Sequence, residues 1–349
     1  MNKYFCVLPY FAQEIPIKTR KNIYCCKLKA DTDIEEVRLS IKNKKRSNAC
    51  EACWKLEDSG LQSERQIHNA TFDFLANQDL ERVEEQVVAG NFSTRILKLH
   101  TSQVCNGTCV TCGSDSSTAW QKLEGRPILR TLLPQPILDD VDWENLLQLS
   151  FVGGEPLAEK QNFDILEKLL SAGNDQCFIS FVTNGSIELN KRKLDTLSKF
   201  KNLNICLSID GVGKSFEYMR YPLKWELLNE NIKHFKKFTD NISVSCMISN
   251  LNILYYSQMC KFFDDQKLNY ICRPITQPEY FNPNNLPLYI KKRILEKNPD
   301  YHNEVAHFLE LDCKFNQELY NRCWQEIKRQ DQLKNISIEQ YLPEFTNLL

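Results

Sequence analysis

The sequence predicts an α/β fold whose main part is a parallel sheet, closed or partly closed into a barrel. Six short runs rich in β-branched and apolar residues recur from residue 95 onward, at 95–101, 146–154, 177–185, 203–211, 242–250 and 268–275. Helical patterns lie between several of these runs, and polar or glycine-containing sequences follow four of them. With 349 residues, 42 % of them hydrophobic, the chain is long enough to bury a substantial core.

The segments between the predicted strands have the apolar spacing of helices. Leu228, Ile232 and Phe235 lie three or four positions apart within the stretch 227–238, which places them on one helical face. Similar patterns occupy 163–170 and 194–200. Because the carboxyl ends of parallel strands meet at one edge of a sheet, we expect the polar sequences after the strands to form a site there.

Charge and cysteine content narrow the class of protein. The chain has 44 Lys and Arg against 45 Asp and Glu, a net charge of -1, so we expect neither a nucleic-acid partner nor a membrane-surface partner. The first residues lack the apolar core of a signal peptide, and we therefore expect a cytoplasmic protein. In that reducing compartment, 15 cysteines indicate metal or redox chemistry more than a disulfide framework.

Three cysteines stand close together after the first predicted strand. Cys105, Cys109 and Cys112 fall within the sequence CNGTCVTCGS, and no fourth Cys or His follows nearby. A structural zinc site requires four ligands, whereas three thiolates suit an iron–sulfur cluster that leaves one iron open to a substrate or cofactor. Other cysteines lie in apolar stretches, where we predict small core residues: Cys177, Cys206, Cys246 and Cys260.

The C-x3-C-x2-C spacing, followed by GGEP (153–156) after the second strand, resembles the radical SAM superfamily. The resemblance implies a partial (β/α)6 barrel in which Cys105, Cys109 and Cys112 hold a 4Fe–4S cluster. The free iron of that cluster would bind S-adenosylmethionine. One electron from the cluster would cleave this cofactor to methionine and a 5′-deoxyadenosyl radical, which abstracts hydrogen from a substrate. The implied protein is an enzyme that needs an external one-electron reductant of the flavodoxin or ferredoxin type.

The same resemblance implies roles for residues at other strand ends. The methionine ammonium group would be received where glycine permits close backbone approach and a carboxylate complements the cation, at Gly153, Gly154, Glu155 and Pro156. Asn184 is implied on the same rim, Ser208 and Asp210 resemble ribose-binding positions, and Arg220 resembles an arginine near the methionine carboxylate. Turn chemistry alone also explains an Asn184–Gly185 or Asp210–Gly211 pair, so that alternative stays open.

The segment before the first strand carries five further cysteines: Cys6, Cys25, Cys26, Cys50 and Cys53. They suffice for a second, fully coordinated 4Fe–4S cluster, and their arrangement is similar to members with an auxiliary-cluster module called twitch, related to the larger SPASM module. Either Cys25 or Cys26 can be the ligand of the adjacent pair. A four-cysteine zinc site and a metal-free group of reduced thiols are the alternatives.

We therefore predict three parts: a Cys-rich module with a linker helix at 1–90, a partial barrel at 91–275 and a helical C-terminal cap at 276–349. Helical patterns in the cap cover 286–297 and about 302–333. Members with an auxiliary cluster often modify peptides, so the predicted substrate is a peptide or protein side chain. The alternatives are the same radical chemistry on a small metabolite or nucleotide, and a non-catalytic, metal-stabilised binding protein.

Overall fold

The computed structural model describes residues 2–17, 23–25, 27–29, 31–60, 62–128, 132–134, 138–139 and 141–346. Seven parallel strands form one sheet in chain order, the arrangement of a partial barrel. The strands are β1 (Ala12–Ile15), β2 (Ile96–His100), β3 (Gln148–Val152), β4 (Phe178–Thr183), β5 (Asn202–Ser208), β6 (Ile242–Ile248) and β7 (Asn269–Pro274). The predicted α/β fold is confirmed with all six predicted strands, and β1 is an additional strand that pairs with β2.

Helices separate most of the strands and make up the N-terminal and C-terminal parts of the chain. They are α1 (Leu8–Phe11), α2 (Ile34–Lys42), α3 (Glu51–Asp58), α4 (Glu64–Ala76), α5 (Leu80–Val88), α6 (Thr118–Leu123), α7 (Lys160–Ser171), α8 (Lys191–Leu197), α9 (Lys214–Met219), α10 (Trp225–Phe235), α11 (Tyr256–Asp265), α12 (Leu288–Lys297), α13 (His302–Leu309), α14 (Gln317–Lys334), α15 (Ile338–Tyr341) and α16 (Pro343–Thr346). No helix in the described ranges is long and apolar enough to cross a membrane.

The single helical pattern expected at about 302–333 is two helices, α13 and α14. Glu310 ends α13 in the left-handed region, with φ 42°. The Asn316 side chain then starts α14 by accepting hydrogen bonds from the backbone N–H groups of Glu318 and Leu319. A left-handed residue followed by an N-capping residue interrupts a helix even where the apolar pattern continues.

The chain divides into two compact units, the first comprising residues 1–102, 131–181 and 190–203 and the second 103–130, 182–189 and 204–349. In the first unit, Leu97 and Leu99 of β2 are fully buried. Lys98 and His100 alternate with them and are only half-buried, because successive side chains of a strand point to opposite faces. The predicted domain boundaries at 90/91 and 275/276 stay a prediction.

The N-terminal part of the first unit has its own apolar cluster. Phe5, Val7 and Phe11 pack with Val37 of α2 and Phe72 of α4. The helix α4 begins at a capping box, in which the side chains of Ser63 and Gln66 each bond to the backbone of the other. This cluster fixes the backbone that carries the N-terminal cysteines.

In the second unit, the strands β5 and β6 bury one face and leave the other partly open. Ile205 and Leu207 of β5 are fully buried, whereas Ser208 is half-buried. Gly211 follows β5 where the chain turns into α9, and a Cβ atom added there would lie 2.5 Å from the Phe216 backbone nitrogen. Only glycine permits so close an approach of strand end and helix start.

Candidate metal centre

The loop 101–117 after β2 carries the three clustered cysteines. Cys109 is buried, Cys105 is half-buried and Cys112 is exposed. A Cβ atom added at Gly107 would lie 3.3 Å from the Cys109 sulfur and 3.8 Å from the Cys105 sulfur. A side chain at position 107 would therefore occupy the space beside both thiols, which is the space that an inorganic cluster bound to them requires.

Backbone contacts from distant parts of the second unit hold this loop. The Thr108 N–H donates to the Tyr221 carbonyl (2.6 Å), and the Val110 N–H donates to the Met219 carbonyl (2.8 Å). The Trp120 indole Nε1 donates to the Cys109 carbonyl at 3.0 Å. Because these bonds flank Cys109 on both sides, they fix the direction of its side chain.

The thiols of Cys109 and Cys112 share a hydrogen bond. This bond lowers the pKa of Cys109 to about 7, and although burial acts in the opposite direction, the charge of Arg220 lowers the pKa further. The same hydrogen bond raises the pKa of Cys112. Thiolates are the form that binds metal, so the surroundings of Cys109 favour the ligating state.

Asp210 and Arg220 form a buried ion pair near these cysteines in the second unit. Arg220 Nη2 lies 2.6 Å from Asp210 Oδ2, and the side chains of Arg220 and Asp210 are 13 % and 1 % exposed, respectively. The second oxygen of Asp210 accepts the Met247 N–H at 2.8 Å. Within the described part of the chain, the buried Nε of Arg220 has no hydrogen-bond partner. A buried donor without a partner is a place where an anionic ligand group is favoured.

Asn184 ties the turn after β4 to the cysteine loop. Its Nδ2 donates to Asn106 Oδ1 at 2.8 Å, and Asn106 Nδ2 donates to the Ser186 hydroxyl at 2.8 Å. Gly185 follows with φ +73°. The second unit thus contains seven predicted site residues: Cys105, Cys109, Cys112, Asn184, Ser208, Asp210 and Arg220.

The GGEP turn follows β3 in the first unit. Gly153 and Gly154 have positive φ values of 80° and 51°, and a Cβ atom at Gly153 would lie 3.3 Å from the Ser102 carbonyl oxygen. The Glu155 side chain is fully buried and accepts the Leu157 N–H at 3.0 Å. In this structure Glu155 therefore braces its own turn, and its predicted contact with a ligand stays a prediction. The Pro156 carbonyl accepts a bond from Asn162 Nδ2.

Four of the five N-terminal cysteines line one small cavity in the first unit: Cys6, Cys25, Cys50 and Cys53. Burial raises the pKa of Cys6 to about 12 and that of Cys50 to about 11, with the neighbouring thiols adding to both shifts. Arg65 lowers both pKa values. Cys26 lies outside the described residues. These mutual effects show that Cys6, Cys50 and Cys53 are neighbours in this cavity.

A single metal ion and a 4Fe–4S cluster place different requirements on their ligands. Among the described residues, no three Cys, His, Asp or Glu side chains are arranged to hold one metal ion. In a 4Fe–4S cluster each thiolate binds a different iron, so the sulfurs need not converge on one point. The glycine at 107 and the free donor of Arg220 fit such a group bound at the cysteine loop.

Residues 94–232 match the family described as a 4Fe-4S single cluster domain. The cluster domain, as we call this segment, contains the three-cysteine loop, the GGEP turn and the ion pair. This match supports the predicted iron–sulfur cluster for this part of the chain, which is less than half of its length. No curated protein matches the chain significantly.

Solved structures give weaker likenesses. The anSMEcpe structure with bound AdoMet has 18% identity and a TM-score of 0.45, covering 63% of this chain and 60% of that one. SuiB from Streptococcus suis, bound to S-adenosylmethionine, has 14% identity and a TM-score of 0.45, covering 84% and 69%. SuiB bound to precursor peptide SuiA has 15% identity and a TM-score of 0.43, covering 89% and 76%. The chain thus spans only 60% of the length of anSMEcpe.

Sequence reasoning missed several residues that shape the site. Asn106 was passed over although it lies between two of the cysteines, and its side chain joins the loop to Asn184. Lys98 and His100 were passed over although they are charged or polar residues that alternate with Leu in a buried strand. That alternation was the available signal, because it predicts a polar face opposite the core.

Glu14 connects β1 to this polar face of β2. One carboxylate oxygen lies 3.0 Å from Lys98 Nζ, and the other lies 2.7 Å from His100 Nε2. Burial raises the pKa of this carboxyl, but the bonds with His100 and Lys98 outweigh burial and lower the pKa to about 2. The ion pairs therefore favour the folded state wherever Glu14 is ionised.

Glu14→Gln is expected to reduce the free energy of unfolding at neutral pH by up to roughly 3 kcal/mol, the equivalent of the pKa shift. The folded-state pKa lies below the ordinary value of 4.5, so this contribution is fully present above that pH and is lost as the pH falls towards about 2. Urea denaturation across that range measures the difference between variant and wild type. Glu36→Gln, at an exposed position of α2, is the control, and a Glu14 difference that persists unchanged in acid would contradict the assignment.

Proposed function

We propose that the chain is a radical S-adenosylmethionine enzyme whose cluster is held by Cys105, Cys109 and Cys112. The observation that carries the proposal is the three-thiol loop itself, with a glycine beside two sulfurs inside a 4Fe-4S single cluster domain. Three protein thiolates leave one iron of such a cluster open. When bound, the cluster supplies one electron for the cleavage of S-adenosylmethionine at that iron.

The residues around the loop would bind and orient the cofactor. The unpartnered Nε of Arg220 suits the methionine carboxylate, while Asp210 holds the guanidinium in place. Gly153, Gly154, Glu155 and Pro156 are proposed to receive the ammonium group, because glycines with positive φ values permit close approach of a ligand to the backbone. Ser208 and Asn184 lie at neighbouring strand ends and are proposed as further cofactor contacts.

The second part of the proposal is an auxiliary 4Fe–4S cluster in a module of the twitch or SPASM type. Support comes from the four cysteines that line one cavity beside Arg65, since four thiolates fully coordinate a cluster. The charge of Arg65 favours the thiolate forms of Cys6 and Cys50, although burial outweighs it and raises both pKa values. Cys26 is proposed as the alternative ligand to Cys25.

The third part concerns the substrate, which we propose is a peptide or protein side chain. AdoMet is bound by anSMEcpe and a precursor peptide by SuiB; for this chain both ligands belong to the proposal. An external one-electron reductant of the flavodoxin or ferredoxin type would reduce the cluster. The proposed organisation is a cysteine module at 1–90, a barrel at 91–275 and a helical cap at 276–349.

Release of 5′-deoxyadenosine tests the proposed chemistry. Wild-type protein that has been reconstituted and reduced without oxygen is expected to release it from S-adenosylmethionine, and Cys109→Ser is expected to abolish the release. Cys313→Ser, at an exposed cysteine, is the matched control and should retain it. Iron-loaded wild-type protein that releases none would overturn the enzyme assignment and favour a metal-stabilised binding protein.

The substrate class is tested by isotope transfer. A peptide substrate labelled with deuterium is expected to deliver deuterium to the released 5′-deoxyadenosine, because the abstracted hydrogen ends there. Transfer from a small metabolite or nucleotide, with none from peptides, would replace the peptide proposal by its alternative.

A further inference from the structure

The C-terminal helix α14 places a buried lysine behind the cysteine loop in the second unit. Lys334 is only 6 % exposed, and its Nζ donates to Gln330 Oε1 at 2.9 Å. Within the described ranges, no carboxylate lies within ion-pair distance of this ammonium. The nearest acids are engaged elsewhere: Asp331 accepts the Tyr218 hydroxyl and Glu326 pairs with Arg329.

A charged lysine at such a position costs free energy, because burial removes the water that solvates the ammonium. Burial lowers the pKa of Lys334 to about 8, against the opposing effects of Cys109 and nearby acids. The ammonium thus stays largely protonated at neutral pH. An apolar side chain would fill the same space without the desolvation cost, so packing alone does not account for a lysine here.

Two side chains that contact Lys334 also form hydrogen bonds to the cysteine loop. Its Nζ lies 4.8 Å from the Trp120 ring centroid, and the same indole donates to the Cys109 carbonyl. Gln330, which accepts from Lys334, donates through Nε2 to the Val110 carbonyl at 3.0 Å. The positive charge is therefore anchored by two side chains that each bond to the backbone at Cys109 or the residue after it.

Two cations lie in the second unit with contacts that lead to this loop, Arg220 and Lys334, and they differ in their bonded partners. Arg220 is compensated by Asp210, whereas Lys334 is held by an aromatic ring and an amide. Its field at the loop is therefore not cancelled by a bonded counter-ion.

We propose that Lys334 raises the reduction potential of the cluster held by Cys105, Cys109 and Cys112. This inference rests on the proposed function, because it concerns the same cluster. Reduction adds one negative charge to the cluster, and a fixed cation in a poorly solvated position stabilises the reduced state more than the oxidised state. Lys334 is thus assigned a role that it exerts through its charge, from a place held by Trp120 and Gln330.

The test is the midpoint potential of the cluster, followed by electron paramagnetic resonance during titration with dithionite at neutral pH. Lys334→Met is expected to reduce the equilibrium constant for cluster reduction at least about tenfold, which for one electron corresponds to a potential about 59 mV more negative. Lys334→Arg keeps the charge and is expected to remain near the wild-type potential. Lys328→Met removes an exposed lysine from the same helix and is the matched control.

If Lys334→Met fails to fold, Lys334→Gln is the replacement variant, because glutamine can still donate a hydrogen bond to Gln330 without carrying charge. An unchanged potential in the folded neutral variant, or an equal change in Lys328→Met, would overturn the inference while leaving the cluster and the proposed function intact. A wild-type protein without a reducible cluster would instead overturn both. The potential separates charge from packing, because a purely structural lysine would alter the unfolding free energy and leave the potential where it was.

Discussion

Replacing Cys105, Cys109 and Cys112 together with alanine is expected to remove about four of about eight irons per anaerobically purified chain, with the matching sulfide. The remaining iron would belong to the N-terminal module, whose cysteines line a separate cavity of the first unit. Cys50→Ala combined with Cys53→Ala is expected to remove the other half. Iron and sulfide analysis of each protein provides the measurement, because each cluster depends on its own thiolates.

Cys313→Ala is the control for this series, because Cys313 is exposed on the C-terminal part and outside both cysteine groups. About four irons in the wild type, falling to none in the triple variant, would remove the auxiliary cluster and leave the zinc and metal-free alternatives for the module. Zinc without iron in every protein would contradict the cluster at both places.

Arg220→Met is expected to lower the free energy of unfolding by about 3–5 kcal/mol, because it leaves the carboxylate of Asp210 buried without its cation. Asp210 is 1 % exposed, so water cannot replace the lost guanidinium. The double variant Arg220→Met with Asp210→Asn should recover much of the loss, since it removes both charges. Urea denaturation of the full-length chain measures each step of this double-mutant cycle.

The matched comparison is Arg192→Met. Arg192 pairs with Glu167 at 2.9 Å, but the side chains are 64% and 46% exposed, so its loss should destabilise the chain far less than the loss of Arg220. Equal effects of the two arginine variants would show that burial of the Arg220 pair carries no special energetic weight. The iron content of the Arg220→Met variant is expected to fall as well, because the positive charge of Arg220 in the wild type favours the Cys109 thiolate.

Local sequence patterns were sufficient to predict the fold class and the position of the three-cysteine loop after a strand. Runs of apolar residues predicted six strands. Cys105, Cys109 and Cys112 are close in sequence and therefore lie near one another whatever the fold. The strand β1 was missed because AQEI has only four residues, too few for an alternating pattern to be recognised. Its existence depends on pairing with β2, and such a contact between distant segments leaves no local signal.

Contacts between distant residues account for most of what the sequence did not reveal. The pairing of Asn106 with Asn184 joins residues 78 positions apart, and Gln330 reaches Val110 across 220 positions. Lys334 is the last residue of α14, and lysine is common at helix C-termini because it complements the helix dipole. Its burial against Trp120 depends on how α14 packs, which amphipathic spacing alone does not specify.

The backbone bonds that shape the cysteine loop also set an order of events during biosynthesis. Cys105, Cys109 and Cys112 leave the ribosome long before Met219 and Tyr221, whose carbonyls receive the Val110 and Thr108 N–H groups, and longer still before Gln330. A nascent chain that ends after the cysteines has the ligands but not the framework that directs them. A chain truncated before Met219 is therefore expected to present the three thiols without the loop geometry that these bonds impose.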